Sequence, residues 1–440
     1  MDPKENQEML SFLGLGSVDE LFADIPVKFR SDGLNLPDGM SEIEVLRHLR
    51  NVLSANTDCS EYACFLGGGV YNTFIPAIVQ QVVGRSELYT SYTPYQSELS
   101  QGLLQLIFEY QSLLAELTGM DVINASLYDG ASALGEAACM CGRISDGSFF
   151  LIPAAMAPWK KSVLRNYVVG MGLEVREYSF NRNNGQAELH EISSIAKQGA
   201  AGVYIEMPNF LGLYQEDIME LKGMIGNAML VAGVNPLSLA TVIPPGEYGA
   251  DIVVGEGQPL GLNMNFGGPF LGIFGCRREH VRKMPGRIVG ATVDSEGKRS
   301  FCLTLQAREQ HIRRSKATSN VCTNQTLLAV AASVYVAAMG PEGLAAAAGR
   351  TERNRLRAME LFEEHGAEIP FKGPGFNEFV SSSHSDTGRM TEELLKQGII
   401  GGLQLNGIVH GMESSVLWAV SENTTEEEII RAARIAGEFV

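Results

Sequence analysis

Met229-Leu-Val-Ala-Gly-Val-Asn235 and, after a turn-rich spacer, Ala250-Asp-Ile-Val-Val-Gly-Glu-Gly-Gln258 decide how this chain folds. Each is a short apolar run closed by small and polar residues, the pattern of a strand buried on both faces. Further runs of the same kind lie at Phe149–Ile152, Glu174–Tyr178, Gly202–Glu206, Ala228–Ala232, Asp251–Val254 and Phe270–Phe274. Helix-like stretches fill most of the intervals, at Trp159–Met171, Leu189–Lys197 and Glu216–Ile225. Buried strands alternating with covering helices predict an α/β fold around an open, mainly parallel sheet.

The flanks read differently. From about Asn6 to Arg50 the pattern is helical and amphipathic, and Ser17-Val-Asp-Glu20 reads as a capping box ahead of Leu21 and Phe22. A helix is expected over Phe74–Val83 and a longer one over Gln96–Leu117, with a Tyr-rich loop between them. Asn324–Met339 is Ala-rich and nearly uncharged, so it should be deeply packed; Gly340-Pro-Glu-Gly343 interrupts it, and a charged helix follows over Ala345–His365. Beyond Ile369 come short strands within Phe376–Val380 and Gly411–Val420, then a Thr424/Glu427 capping box and a closing helix over Glu426–Glu438. The expected organisation is an N-terminal helical arm (1–60), a large domain (61–345) and a small C-terminal α/β domain (346–440).

The chain has 440 residues and a net charge of −17. That balance argues against nucleic-acid and anionic-membrane partners. Its cysteines are odd in number and irregularly spaced, as expected of reduced thiols in a cytoplasmic protein, and Cys139-Met-Cys141 has no partner pair for a metal, so no metal site is expected. No basic-then-apolar leader opens the chain, and no apolar stretch reads as long enough for a membrane span. Ser-His-Asp arrangements, Walker loops and HExxH motifs are absent from the sequence.

Five segments could carry chemistry. Ser126-Leu-Tyr-Asp-Gly-Ala-Ser132 lies at a strand-to-helix turn, where Gly130, Ala131 and Ser132 would offer backbone N–H groups to an anion; an ordinary tight turn is the alternative. Glu206-Met-Pro-Asn209 follows a buried strand, where open sheets build sites. Gly267-Gly-Pro-Phe-Leu-Gly272 permits close backbone approach. Tyr89-Thr-Ser-Tyr-Thr-Pro-Tyr-Gln-Ser-Glu98 is a tyrosine-rich loop of the sort found at interfaces, or a plug at the base of the arm. Arg308-Glu-Gln-His-Ile-Arg-Arg-Ser-Lys316, with Ser319 and Asn320, is dense in donors: either an anion or carboxylate site, including one on a neighbouring subunit, or a solvated basic turn. His311 is a candidate acid–base group within it.

The opening pair of segments resembles the cofactor-binding half of pyridoxal-phosphate (PLP) enzymes, with both chemical anchors missing. Where an aspartate should face the pyridine nitrogen stands Ala232, and where the Schiff-base lysine should stand is Gln258. Ser17–Phe22, Phe65-Leu-Gly-Gly-Gly69, Tyr92-Thr-Pro-Tyr-Gln96 with Ser100-Gln-Gly102, and Arg308–Arg314 with Lys316–Asn320 resemble the alpha-subunit family of the two-subunit glycine decarboxylases, the P-proteins of the glycine cleavage system. Asn72, Ser97 and Ser315 depart from the residues commoner there.

The resemblance implies a fold-type-I (aspartate-aminotransferase-like) large domain and a small C-terminal domain. It implies an oxidoreductase subunit inactive alone, with PLP held by a homologous beta subunit, commonly as α2β2, and none held covalently here. The implied reaction removes CO2 from glycine and passes the aminomethyl group to the lipoyl arm of the H-protein. Residues offered across the subunit interface are Tyr92, Tyr95, Gln96, Glu98, Arg308, His311, Arg313, Arg314, Lys316, Ser319 and Asn320. The rival readings are a self-sufficient PLP enzyme using Lys298 or Lys316, and a non-enzymatic scaffold or regulator.

Overall fold

The computed structural model describes residues 2–31 and 33–440. The chain divides into two compact units, Met1–Thr57 and Asp58–Val440.

The N-terminal unit is less helical than its amphipathic pattern predicts. Helices cover Pro3–Leu13 and Glu42–Leu53, with only short 3₁₀ turns at Val18–Phe22 and Val27–Phe29 between them. Pro26, Gly33, Pro37 and Gly39 interrupt any continuous helix. Ser17 makes no helix cap; Glu20 instead accepts from Gly16 N at 3.2 Å. The capping pair lies at Ser41, whose N–H and hydroxyl both donate to Glu44 Oε2 at 2.8 and 2.6 Å. Of the described residues in this unit only Leu10 is buried, so the unit has no apolar core of its own.

In Asp58–Val440 a seven-stranded sheet runs in the order 122–123, 272–276, 252–256, 229–234, 200–207, 149–153, 174–178. The five strands from 252–256 to 174–178 are parallel; 272–276 is antiparallel to 252–256, and 122–123 to 272–276. Every residue of Ala200–Met207 and Met229–Val234 is buried. Helix Gly130–Ile144 lies on one face, beginning at the Asp129 cap, whose carboxylate accepts from Ser132 N at 2.6 Å. Its Ala, Gly and Cys residues let it pack close to Phe150, Ile152, Val231 and Val254. The opposite face is covered by helices Leu189–Ala196 and Ile218–Met224 around Leu151, Val203 and Leu230.

Helix Thr326–Glu364 runs through the interrupting motif, but Gly340 has non-helical dihedrals (φ 60°, ψ −179°) and Pro341 follows, so the expected break survives as a kink. By length and composition this helix could cross a membrane, contrary to the reading that no apolar stretch is long enough. Its buried residues, including Ala329, Ala332, Tyr335 and Ala348, pack instead into the protein core. The last part of the chain forms a three-stranded sheet (378–381, 416–419, 403–404) with helices Thr387–Lys396 and Glu426–Gly437. Phe65, Phe362, Phe379 and Trp418 fill its core. The closing helix is capped by Thr425 and Glu428, one residue later than the sequence pattern suggests.

Candidate functional site

The carboxyl ends of strands 200–207, 229–234 and 252–256 open onto one pocket, the position where parallel sheets build sites. Its polar lining comes from Lys160, Glu206, Glu256, Glu378, Tyr71 and Tyr204. These groups bond mainly to one another and to backbone. Glu206 accepts from Lys160 Nζ at 2.7 Å and from the Tyr204 hydroxyl at 2.9 Å. Burial lowers the basicity of Lys160, but the charge and hydrogen bond of Glu206, with the nearby Glu378 and Glu256, together outweigh it and leave its basicity raised. Glu378 accepts from Gly68 N at 2.6 Å, and burial pushes its carboxyl up to about 7. Glu256 accepts from Gly130 N, Gln258 N and Leu271 N at 2.9, 3.0 and 3.1 Å, and burial raises it to about 7 as well.

The helix N-terminus expected to cradle an anion is therefore taken by the protein's own carboxylates. Gly130 N faces Glu256, Ser132 N faces Asp129, and the Ser132 hydroxyl is spent on the Asp129 carbonyl at 3.0 Å. Asn209 fixes its turn by accepting from Leu211 N and Leu213 N at 2.9 and 3.1 Å. Gln258 is buried, with its amide clamped to both backbone atoms of Tyr71 at 3.0 and 2.9 Å and to Leu262 O at 2.8 Å. Ala232 packs in the apolar cluster beneath the sheet; the residues of that strand bordering the pocket are Gly233 and Val234, and the space a Cβ on Gly233 would need holds the Tyr204 hydroxyl.

The tyrosine loop and the basic segment meet elsewhere. The buried Arg287 donates to the Tyr95 hydroxyl at 2.8 Å and to Asn324 Oδ1 at 3.1 Å. Glu309 Oε2 lies 3.7 Å from both Arg287 Nε and His311 Nδ1, and the His311 ring meets Tyr95 edge-on with centroids 5.7 Å apart. Asn324 Nδ2 and Gln325 N donate to Ser126 Oγ at 2.8 and 3.0 Å. Ser319 donates to Glu136 at 2.6 Å; burial raises the Glu136 carboxyl and this hydroxyl moderates the rise. Arg308 is half-buried against the carbonyls of Met284 and Gly286, and burial lowers its basicity. Tyr92, Gln96, Glu98, Arg313, Arg314, Lys316 and Asn320 are exposed. The structure thus joins Tyr95 to His311, ties Ser319 to the neighbouring helix and anchors Arg308 on the Met284 and Gly286 carbonyls, while the other expected residues of the two segments stand on the surface.

The family model of the glycine cleavage system P-protein matches residues 1–435. The chain belongs to the P-protein family. It is 45% identical over 439 residues to a probable glycine dehydrogenase (decarboxylating) subunit 1 of Carboxydothermus hydrogenoformans, covering 99% of this chain and 98% of that protein. A namesake from Bacillus mycoides is 44% identical, covering 98% of this chain and 96% of its own length. A solved structure of glycine decarboxylase (P-protein) in inhibitor-bound form superposes with a TM-score of 0.89 at 37% identity, over 100% of this chain and 98% of that one. A sphingosine-1-phosphate lyase of Burkholderia pseudomallei (TM-score 0.68, 14% identity, 93% of each chain) and an aspartate aminotransferase of Thermus thermophilus (0.57, 16%, 86% of this chain and 100% of that one) share the fold. The fold is the fold-type-I architecture that the family resemblance implies, and its mainly parallel sheet is the one expected from the strand pattern.

The residues of this P-protein chain do not fit PLP. A phosphate at the Gly130 helix would meet the Glu256 carboxylate, no acid borders the pocket on strand 229–234, and Gln258 is locked to Tyr71. Lys298 pairs with Glu296 on the surface and Lys316 is exposed, so neither rival lysine lines the pocket. Lys160 is the lysine that does, and it is ion-paired. Sequence reading passed over Lys160, Glu378 and Arg287, which carry no motif. Glu206 and Glu256 do carry a signal, since each charged residue ends an otherwise apolar strand.

Proposed function

We propose that this chain is the alpha subunit of a glycine decarboxylase, without a Schiff-base lysine of its own, and that a homologous beta subunit supplies PLP and its lysine. Membership of the P-protein family places the chain in the glycine cleavage system, and the "subunit 1" name of its relatives implies a second chain. The observation that carries the division of labour is the internal closure of the pocket: Glu256 stands at the anion position and Gln258 is clamped where an amine would be needed. The complete enzyme would decarboxylate glycine and hand the aminomethyl group to a lipoylated H-protein, in an α2β2 assembly in the cytoplasm.

Two features support an obligate partner. The unit Met1–Thr57 exposes Phe12, Phe22, Val27, Phe29, Leu34 and Leu36 without a core to bury them, and an apolar surface of this kind is the mark of an interface. Tyr92, Tyr95, Gln96, Glu98 and the 308–320 segment present hydroxyl, imidazole and guanidinium groups at the surface. We assign them to the partner's pocket and the lipoyl channel. This role, like the three-part division into arm, large domain and small domain, is part of the proposal.

The test is the visible spectrum of the purified chain with added PLP, before and after borohydride reduction, followed by intact mass. No reduced adduct alone, and glycine-dependent CO2 exchange only after mixing with a lysine-bearing homologue, is the expected result. A stoichiometric adduct on Lys160 would refute it. Assembly with the homologue that leaves its activity unchanged would favour the scaffold reading.

A further inference from the structure

Arg287 has no place in any motif, yet it is the junction of the surface just assigned. It stands between Gly286 and the strand Ile288–Val293, and its carbonyl accepts from Ala125 N at 2.8 Å. Its guanidinium is 5% exposed and reaches two separate segments through two different nitrogens, Tyr95 at 2.8 Å and Asn324 at 3.1 Å. The planar fork makes this double reach possible; a lysine ammonium at one point could not replace it. Glu309 faces Arg287 on one side and His311 on the other, 3.7 Å from each, beyond hydrogen-bonding distance.

Two polar atoms in this cluster, Arg287 Nε and Glu309 Oε1, are buried with no hydrogen-bond partner. Buried orphans of this kind are rare and call for a reason. Here Arg287 is committed to Tyr95 and Asn324 rather than closed onto Glu309, so its direct hold falls on the tyrosine loop and the start of helix Thr326–Glu364. The outward product is a Tyr95–His311 edge, both rings about two-fifths exposed (42% each).

We propose that Arg287 is a positioning residue for the reaction of the assembled enzyme. It holds the Tyr95 hydroxyl, and through the Tyr95 ring the His311 ring packed edge-on against it, at the place where this chain borders the partner's site. The assignment rests on the cross-subunit reading above, and it adds that the face works as a unit set by one buried guanidinium.

The test uses the complete two-subunit enzyme at saturating partner, with Arg287→Lys, Arg287→Gln, Tyr95→Phe and the Arg287→Lys/Tyr95→Phe double variant. Glycine-dependent exchange of bicarbonate carbon gives kcat and KM. Arg287→Lys should lower kcat about tenfold, as expected for a displaced site group, with partner affinity near wild type and a thermal midpoint lowered only by the hydrogen bond the lysine cannot make. Adding Tyr95→Phe should cost less than about twofold more, because residues that act through one another are not additive. Full kcat in Arg287→Lys, additive losses, or a loss that arises only through weaker subunit affinity would each overturn the proposal. Should Arg287→Gln fail to fold, the lysine variant and the cycle still decide. If Tyr95→Phe and Arg314→Ala are also silent, the cross-subunit reading itself fails; if they lower turnover while Arg287→Lys does not, only the positioning role falls.

Discussion

The pocket at the strand ends and the Tyr95–Arg287–His311 cluster are built from the same kinds of group and reach opposite outcomes. In the pocket, Lys160 answers Glu206, Gly68 N answers Glu378, and three backbone N–H groups answer Glu256. In the cluster, Arg287 Nε and Glu309 Oε1 stay unpaired and two rings face outward. A buried polar set that satisfies itself has little left for a ligand; one left incomplete still has free energy to gain from a neighbour. The difference teaches that, in this chain, the cavity at the strand ends is the closed region and a loop junction is the open one.

The comparison would break first at Lys160. Lys160→Met leaves Glu206, 6% exposed, without its cation. Since 23% of the lysine side chain still meets solvent, the loss should sit at the low end for a broken buried pair, about 3 kcal/mol. The urea midpoint should fall accordingly, while turnover per assembled complex stays near wild type. A collapse of turnover at intact assembly would mean the closed pocket takes part in the reaction.

Glu378 sharpens it through pH. Its folded carboxyl is raised to about 7 by burial from an ordinary 4.5, so its favourable contribution is complete below about 4.5 and is lost as pH rises through 7. Glu378→Gln mimics the protonated form. It should match wild type near pH 4.5 and exceed it above pH 7, by at most about 3 kcal/mol. Thermal melts across that range check the sign; a variant less stable than wild type at pH 8 would show that the carboxylate is needed charged.

Tyr95→Phe, with Arg314→Ala beside it, tests the open region. Each should lower turnover of the reconstituted enzyme by roughly tenfold without altering the stability of the chain, as for removal of one positioned polar group. The smallest effect is expected at Ser319→Ala, which removes the hydrogen bond to the Glu136 carboxyl and the one accepted from Val321 N, and should cost about 1 kcal/mol in denaturant unfolding.

Strand positions were legible because burial on both faces leaves an uninterrupted apolar run: Phe149–Ile152 and Glu174–Tyr178 match the structure to within a residue. The arm was less legible, since amphipathic periodicity says nothing of a missing core, and the Ser17 and Thr424 caps show how a box pattern can shift or fail by local geometry. At the site, two absences, the lysine at Gln258 and the acid on strand 229–234, could be read from the sequence. What replaced them could not, because Lys160, Glu256 and Glu378 are far apart in the chain and meet only at the strand ends.

By itself, then, the sequence determined the parallel α/β sheet and the motifs that carry the family resemblance, since each depends on residue type at positions along the chain, and it put Ala232 and Gln258 where that resemblance calls for an acid and a lysine. Only the tertiary structure decided that the pocket is sealed by its own carboxylates and that Arg287 joins the tyrosine loop to Asn324 at the start of helix Thr326–Glu364. Both depend on contacts between residues as much as 310 and 192 positions apart, and no local periodicity encodes a pairing across such distances.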